Sequence, residues 1–386
     1  MSACNDRPWA VLTTGATQLL TCLAAARQQG VAFEQLEVWS SFKPHPPLVA
    51  FIQEICGAFH VPYRGHLQDS VDFVLSRRQM VAHPSDWRWI FDPTSHARRE
   101  ILRQNPFLEP LVGKKIITPF KPYDDLSLML CALRYPRVIY VADGPLVFGN
   151  FGSARKNWIW RGVKNLAAQL PSTETILCPA FLEESTRAVG KPLVVPQDLM
   201  DACYARIAGL EEVKQVVAKL TTAINRTDGA LILSQNLYAG LATPCEDIRY
   251  YAELVAHAVK NHQGPVVFKP HPRDEADKLS AISDLCRHLP AKPAFLSQKE
   301  ACVPVEVLAS LLRLDGWRVY GACTSALMSC RDMLGMAPVC VTSSLLPETT
   351  NLVIREFAGR FQLRLEDLVA VPLSQDGGVK VGQGNP

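Results

Sequence analysis

The sequence predicts an α/β protein built from two Rossmann-like domains that follow one another along the chain. Short β-branched and aromatic runs alternate with helical patterns, and this alternation occurs in both halves. Strands that alternate with helices form parallel sheets covered on both faces. A length of 386 residues allows two domains that each bury a core. We therefore expect two parallel sheets that face each other across a cleft.

The first domain is predicted over residues 1–225. Helical patterns follow the first two strands and recur near 96–104 and at 126–134, whereas 60–95 and 149–227 look irregular before a helix at 214–223. Because the second of these stretches has no clear alternation, we interpret it as a linker region. Strands are predicted at 9–13, 36–40, 115–118 and 137–141.

The second domain is predicted over 226–373, and its last helix is a candidate for crossing back to the first domain. The tail, 374–386, is Gly-rich and polar and is predicted to be disordered. Strands are predicted at 230–234, 266–269, 318–320 and 338–341, and helices at 248–260, 279–286, 305–312, 326–334 and 348–357.

Composition excludes several classes of protein. The net charge of +3 is too small for a broad nucleic-acid surface. There is no signal-peptide pattern and no apolar run long enough to span a bilayer. The 12 cysteines are scattered without a Cys-x-x-Cys pair, which indicates reduced buried thiols, for example Cys22, Cys56, Cys131 and Cys340, and no zinc site.

These features predict a cytoplasmic protein, with peripheral association at the inner membrane as an alternative; they do not indicate an oligomeric state. The alternative depends on two aromatic and basic clusters, which are more often part of a fold than a membrane contact. The clusters contain Trp87, Arg88, Trp89, Arg155, Lys156, Trp158, Trp160 and Arg161.

The segment Val-Val-Phe-Lys-Pro-His-Pro-Arg-Asp at 266–274 is the strongest candidate for a ligand site. Its prolines stiffen the backbone after a strand, so Lys269, His271 and Arg273 should form a fixed fan at the strand's carboxyl end. Ligands bind at that edge of open α/β sheets, and these side chains are suited to a phosphate. His-Pro also occurs at His45 and His83, without the same setting.

A second candidate lies at 319–327, where a strand and a Gly turn lead into a helix at Thr324 or Ser325. Exposed N–H groups and hydroxyls at a helix start bind anions, although simple N-capping explains the segment equally well. Pairing with the His-Pro segment favours one phosphate held from two adjacent edges. Between them, Glu306 stands in the first turn of a helix, where a structural account is sufficient.

In the first domain, Asp143 and Gly144 follow a predicted strand. An Asp-Gly turn is usually structural, but at the cleft edge Asp143 would be the natural general base. Together with Lys269-Pro-His271-Pro272 and Thr324-Ser325, this pair resembles the signatures of bacterial sialyltransferases and polysialyltransferases. Those families have an acid-acid-Gly, a His-Pro and a Ser/Thr-Ser motif, in that order. The opening loop with Thr14, Gly15 and Gln18 is similar to their first strand–loop–helix, and Glu306 to their ribose-binding acid.

The resemblance implies a GT-B fold and an inverting glycosyltransferase that needs no metal or other cofactor. The donor would be a CMP-activated sialic or related nonulosonic acid, and the acceptor a glycan of surface polysaccharide or lipooligosaccharide. Asp143 would deprotonate the acceptor hydroxyl, and His271, as an imidazolium, would stabilise the leaving phosphate. Lys269, Pro272, Thr324 and Ser325 would belong to the phosphate site.

One departure leaves alternatives open. Ala142 replaces the first of the two motif acids. Asp124 or Asp125 would be a substitute base, or the chain would be a non-catalytic nucleotide-sugar binding relative. A GT-B transferase for another activated sugar or a CDP-polyol is a further alternative. A dehydrogenase is disfavoured, because the sequence has no Gly-x-Gly-x-x-Gly.

Overall fold

A computed structural model describes residues 8–40, 45–67, 102–103, 106–120, 138–142, 175–187, 191–223, 228–237 and 241–368. The chain divides into two compact units, 1–206 and 207–386. The predicted domain boundary at 225/226 lies C-terminal to the observed boundary at 206/207. The difference arises from the helix Glu211–Ala223, which packs against Val305–Leu312 and so forms part of the second unit.

The first unit contains a parallel sheet of seven strands in the order β3-β2-β1-β4-β5-β6-β7. The interior strand β1 is buried along its whole length, as expected for a strand covered on both faces. The strands are β1 Trp9–Thr13, β2 Leu36–Ser40, β3 Tyr63–His66, β4 Lys115–Phe120, β5 Val138–Ala142, β6 Thr175–Cys178 and β7 Lys191–Val194. Among the described residues of this unit, the helices are α1 Ala16–Gln28, α2 Pro46–Phe59, α3 Glu183–Arg187 and α4 Gln197–Ile207, with 3-10 turns at Phe33–Gln35, Pro106–Leu111 and Ala180–Leu182.

The second unit repeats this plan with six parallel strands in the order β10-β9-β8-β11-β12-β13. Its core includes the buried Tyr250, Tyr251 and Phe268, whose rings meet edge to face. The strands are β8 Ala230–Leu233, β9 Val266–Lys269, β10 Ala294–Phe295, β11 Arg318–Gly321, β12 Ala337–Ser343 and β13 Arg364–Leu368. The helices are α5 Glu211–Ala223, α6 Pro244–Asn261, α7 Ala276–Leu285, α8 Gln298–Ala301, α9 Val305–Leu312, α10 Ser325–Leu334 and α11 Glu348–Arg360.

The predicted α/β class with two Rossmann-like domains is confirmed. The prediction missed five strands, namely β3, β6, β7, β10 and β13. The last helix, α11, packs on β12 and β13 of its own unit. The predicted helix at 126–134, the tail 374–386 and the aromatic and basic clusters lie outside the described residues.

In each sheet, strand order reverses beside the central strand, between β1 and β4 and between β8 and β11. Such a reversal leaves a crevice at the carboxyl ends of the two strands, which is where ligands bind in this class of fold. The second unit carries its candidate residues at this edge.

Nine of the ten described cysteines are buried, including Cys22, Cys56 and Cys340, as predicted; Cys131 lies outside the described residues. Burial raises the pKa of the Cys56 thiol to about 12. Within the described residues, no helix has both the length and the apolar character needed to cross a bilayer.

Candidate functional site

The His-Pro segment and the Thr324-Ser325 pair lie at the carboxyl edge of the same sheet. The first follows β9 and the second follows β11, and both strands pair with β8. The two segments are therefore one strand apart, and the expectation that they occupy adjacent edges is wrong. Ser234 and Gln235, which follow β8, occupy the position between them.

The turn that carries His271 is fixed by hydrogen bonds to its own residues. The backbone N–H of His271 donates to Oδ2 of Asp274 at 2.9 Å, and the Asp274 N–H donates to the His271 carbonyl at 2.9 Å. The Arg273 N–H donates to Nδ1 of His271 at 3.2 Å. Because Nδ1 accepts, a neutral ring carries its proton on Nε2. Pro272 lies between these residues and restricts the turn further.

The electrostatics also favour a neutral ring. Burial lowers the pKa of His271 well below its usual range; the Asp274 carboxylate opposes this shift, while the cations of Arg273, Lys269 and Lys278 add to it. The side chain is half-buried. A neutral imidazole that donates through Nε2 fits these contacts better than the imidazolium expected from the sequence.

Beneath the turn lies a buried polar network that sequence reasoning missed. Asp274 is fully buried and accepts from Ser234 Oγ at 2.5 Å and from Lys278 Nζ at 2.9 Å. Lys278 also lies 2.8 Å from Asp247, a second fully buried carboxylate. The network ties the turn to β8, α6 and α7. Its only sequence signal is the i,i+4 spacing of Asp274 and Lys278.

Lys269 differs from its predicted placement. Its side chain is buried, and Nζ donates to the Ala301 carbonyl at 2.6 Å. Burial lowers the pKa of Lys269 to about 8. The expected fan of Lys269, His271 and Arg273 therefore does not form, because Lys269 points into the unit and supports the segment before α9.

The second candidate segment begins α10. Thr324 is the N-cap, with Oγ1 accepting from the Ala326 N–H at 3.4 Å, and Ser325 is the first helical residue. Both are half-buried. Glu306 on α9 is buried and accepts from Ser329 Oγ of α10 at 2.7 Å. The carboxylate is thus linked to the helix that starts with the Thr-Ser pair.

Gln235 connects the two segments and was also missed. Its side-chain Oε1 accepts from the Cys323 N–H at 3.2 Å, immediately before Thr324. Its backbone carbonyl accepts from Lys278 Nζ at 3.3 Å, which joins it to the network beneath His271. No sequence pattern marks a glutamine after a strand as a ligand residue, so only the strand order reveals it.

The first-unit loop after β1 forms its own hydrogen-bond pattern. Gln18 Oε1 accepts from the Thr14 N–H at 2.8 Å and contacts its hydroxyl. Gly15 has extended backbone, which any residue adopts, and its N–H donates to Thr13 Oγ1 at 3.2 Å. Gln18 therefore closes the loop at the start of α1.

The predicted general base, Asp143, lies outside the described residues. Ala142 is buried and ends β5, whereas Asp143, Gly144, Asp124 and Asp125 lie outside the described residues. Over the described part of the chain, no group of three or more His, Cys, Asp or Glu side chains is arranged to hold a metal ion.

Residues 197–340 match the family model of alpha-2,8-polysialyltransferase (POLYST). The matched segment contains His271, Glu306, Thr324 and Ser325, and it begins after the last strand of the first unit. The resemblance to sialyltransferases and polysialyltransferases is thereby confirmed for the second unit. Within this segment the chain resembles alpha-2,8-polysialyltransferases, and its first unit lies almost entirely outside the match.

No curated protein sequence matches the chain. Three solved structures resemble it at 10% identity: a sialyltransferase from Photobacterium damsela (93% of this chain, 81% of that chain, TM-score 0.44), an alpha/beta-galactoside alpha-2,3-sialyltransferase from Photobacterium phosphoreum (94% and 99%, 0.47) and a UDP-GlcNAc 2-epimerase from Neisseria meningitidis (93% and 95%, 0.48). The two sialyltransferases and the epimerase resemble the chain to the same degree, so this likeness does not distinguish between their activities.

Proposed function

We propose that this chain transfers sialic acid, or a related nonulosonic acid, from a CMP-activated donor to a glycan hydroxyl. The reaction proceeds with inversion and without a metal ion, in the synthesis of surface polysaccharide or lipooligosaccharide. One observation carries the proposal. The His-Pro turn and the Thr324-Ser325 helix start lie at the carboxyl edge of one sheet, one strand apart, inside the segment that matches the polysialyltransferase family.

On the donor side, the leaving group is the phosphate of CMP. As the bond from sugar C2 to the phosphate oxygen breaks, its electron pair remains on CMP and negative charge grows on the phosphate. His271 donates a hydrogen bond through Nε2, and the N–H groups and hydroxyls at the start of α10 donate from the other side. The phosphate would also raise the pKa of His271, which favours proton transfer to the leaving group.

On the acceptor side, Asp143 takes the proton from the acceptor hydroxyl, whose oxygen forms the new bond to sugar C2 on the face opposite to CMP. The support for Asp143 is its sequence position after β5 and the acid-Gly resemblance. The loop with Thr14, Gly15 and Gln18 belongs to the same unit and is proposed to contribute to the acceptor side.

Two buried groups support the donor site from within. Glu306 uses one carboxylate oxygen for Ser329, and we assign the other to the ribose hydroxyls. Lys269 adds positive charge from the interior and, through Ala301, holds the segment that leads to Glu306. Pro272 keeps the His271 turn rigid.

The test is thermal stabilisation by CMP, CDP, UMP and GMP, with wild type, His271→Ala and His288→Ala compared. A ligand at about 100 times its Kd stabilises by about 2.7 kcal/mol, or a Tm rise of about 5–10 °C. We expect CMP and CDP to stabilise wild type and the control, whose exposed His288 follows α7, but not His271→Ala. Equal shifts with all four nucleotides, or a full shift in His271→Ala, would contradict the proposal.

Two alternatives have specific support. Ala142, which replaces a motif acid, favours a binding protein without catalysis. In that case CMP stabilises the chain, but CMP-sialic acid is not cleaved and Asp143→Asn changes nothing. The His-Pro edge is also compatible with another activated sugar or a CDP-polyol. In that case, competition between donors would give a different order of affinities among the cytidine nucleotides.

A further inference from the structure

We propose that Gln235 is a donor-site residue whose side-chain amide N–H donates to the phosphate of the nucleotide. The inference rests on the proposed function, because it deepens the same site. It would make Gln235 the third phosphate contact, between His271 and the start of α10.

The position of Gln235 in the sheet supports this assignment. It follows the central strand β8 and lies at the reversal of strand order between β8 and β11. Ligands of open α/β sheets bind in the crevice outside such a reversal. Gln235 is half-buried, so part of the residue is exposed to solvent at this position.

The orientation of the amide follows from its neighbours. Oε1 lies 3.2 Å from the Cys323 N–H and 3.5 Å from Cys323 Sγ, and both groups are donors. Only the carbonyl oxygen can accept from them, which leaves the NH₂ group for another partner. Among the described residues, Nε2 has no hydrogen-bond partner.

The backbone of Gln235 is held equally firmly. Its N–H donates to the Tyr251 hydroxyl at 2.7 Å, and its carbonyl accepts from Lys278 Nζ at 3.3 Å. Tyr251 and Lys278 are both buried. Because folding already fixes this N–H donor, a ligand that accepts a hydrogen bond from it binds with little loss of conformational entropy.

The competing explanation is that Gln235 only bridges β8 to the loop before α10. Two variants separate the explanations. Gln235→Glu keeps the oxygen that accepts from Cys323 but replaces NH₂ by a carboxylate oxygen, which repels phosphate. Gln235→Met keeps the length of the side chain and removes both the acceptor and the donor.

The experiment measures binding of CMP, UMP, cytidine and inorganic pyrophosphate to the full chain by calorimetry, with thermal melting as the folding control. We expect Gln235→Glu to melt as wild type does and to bind CMP at least about tenfold more weakly, with cytidine binding unchanged. Gln235→Met should lose CMP affinity and some stability.

Wild-type CMP affinity in Gln235→Glu, or an equal loss for cytidine and CMP, would overturn the inference. The proposed function is judged separately, from the base preference of wild type. If wild type prefers UMP, the CMP assignment fails, and weaker UMP binding by Gln235→Glu still supports a phosphate contact. If wild type binds no phosphate compound at all, both proposals are refuted.

Discussion

Replacing Lys278 by Met should destabilise the second unit strongly. The ammonium group of Lys278 lies within 2.9 Å of two carboxylates, Asp247 and Asp274, and all three side chains are buried. Met has a similar length but no charge, so both carboxylates would lose their counter-charge. Removing one partner of a buried ion pair costs about 3–5 kcal/mol. In a unit of this size that loss lowers Tm by about 6–20 °C.

Scanning calorimetry at pH 7 measures this change, with Lys292→Met as the control because Lys292 is exposed in the α7–β10 connection. The double variant Lys278→Met/Asp247→Asn should recover part of the loss, since it removes one of the two unpaired carboxylates. A Tm within about 2 °C of the control for Lys278→Met, or no recovery in the double variant, would refute the electrostatic reasoning.

Four further predictions concern the same unit. Burial raises the pKa of Asp247 to about 6, so between about pH 4 and 6 the folded state binds a proton that the unfolded state has lost. The free energy of unfolding should therefore fall by about 3 kcal/mol as pH rises through this range, and Asp247→Asn should show no such fall. Burial lowers the pKa of Lys269 to about 8, so stability should rise with pH between about 8 and 10.5, and Lys269→Met should abolish that rise in urea titrations. Ser329→Ala, which leaves buried Glu306 without its partner, should cost about 1–3 kcal/mol by the same measurement. Thr243→Ala removes the N-cap of α6 and should lower Tm by about 2–4 °C in a melting scan, whereas Thr243→Ser should not.

Much of the fold was predictable because central strands are apolar on both faces. Strands β1, β2 and β9 were predicted with the observed bounds. The strands that were missed include all four sheet edges, β3, β7, β10 and β13. An edge strand pairs on one side only and tolerates polar residues and proline, as the Lys-Pro-Leu-Val sequence of β7 illustrates. Such strands have no periodic apolar signature.

The candidate site was predictable to a smaller extent. Sequence placed His271 and Thr324 after strands of one sheet, but the order of those strands depends on crossovers that local patterns do not encode. Gln235 therefore came as a finding of the structure. The side-chain position of Lys269 was predicted wrongly for a related reason. The segment around Ala301 packs over the end of β9, and this packing is tertiary, so local sequence patterns do not reveal it.

The buried cysteines give each unit its own reporter of opening. A thiol reacts as a thiolate, and burial both hides the sulfur and raises its pKa, as for Cys56 in the first unit and Cys302 in the second. A thiol reagent should therefore label Cys245, which is exposed, at once and the buried thiols only when their unit opens. A ligand on the second unit would slow the labelling of Cys302 and Cys330 while Cys22 and Cys56 keep their rate. Peptide mass spectrometry of the labelled chain would thus report, without any substitution, which unit a ligand holds closed.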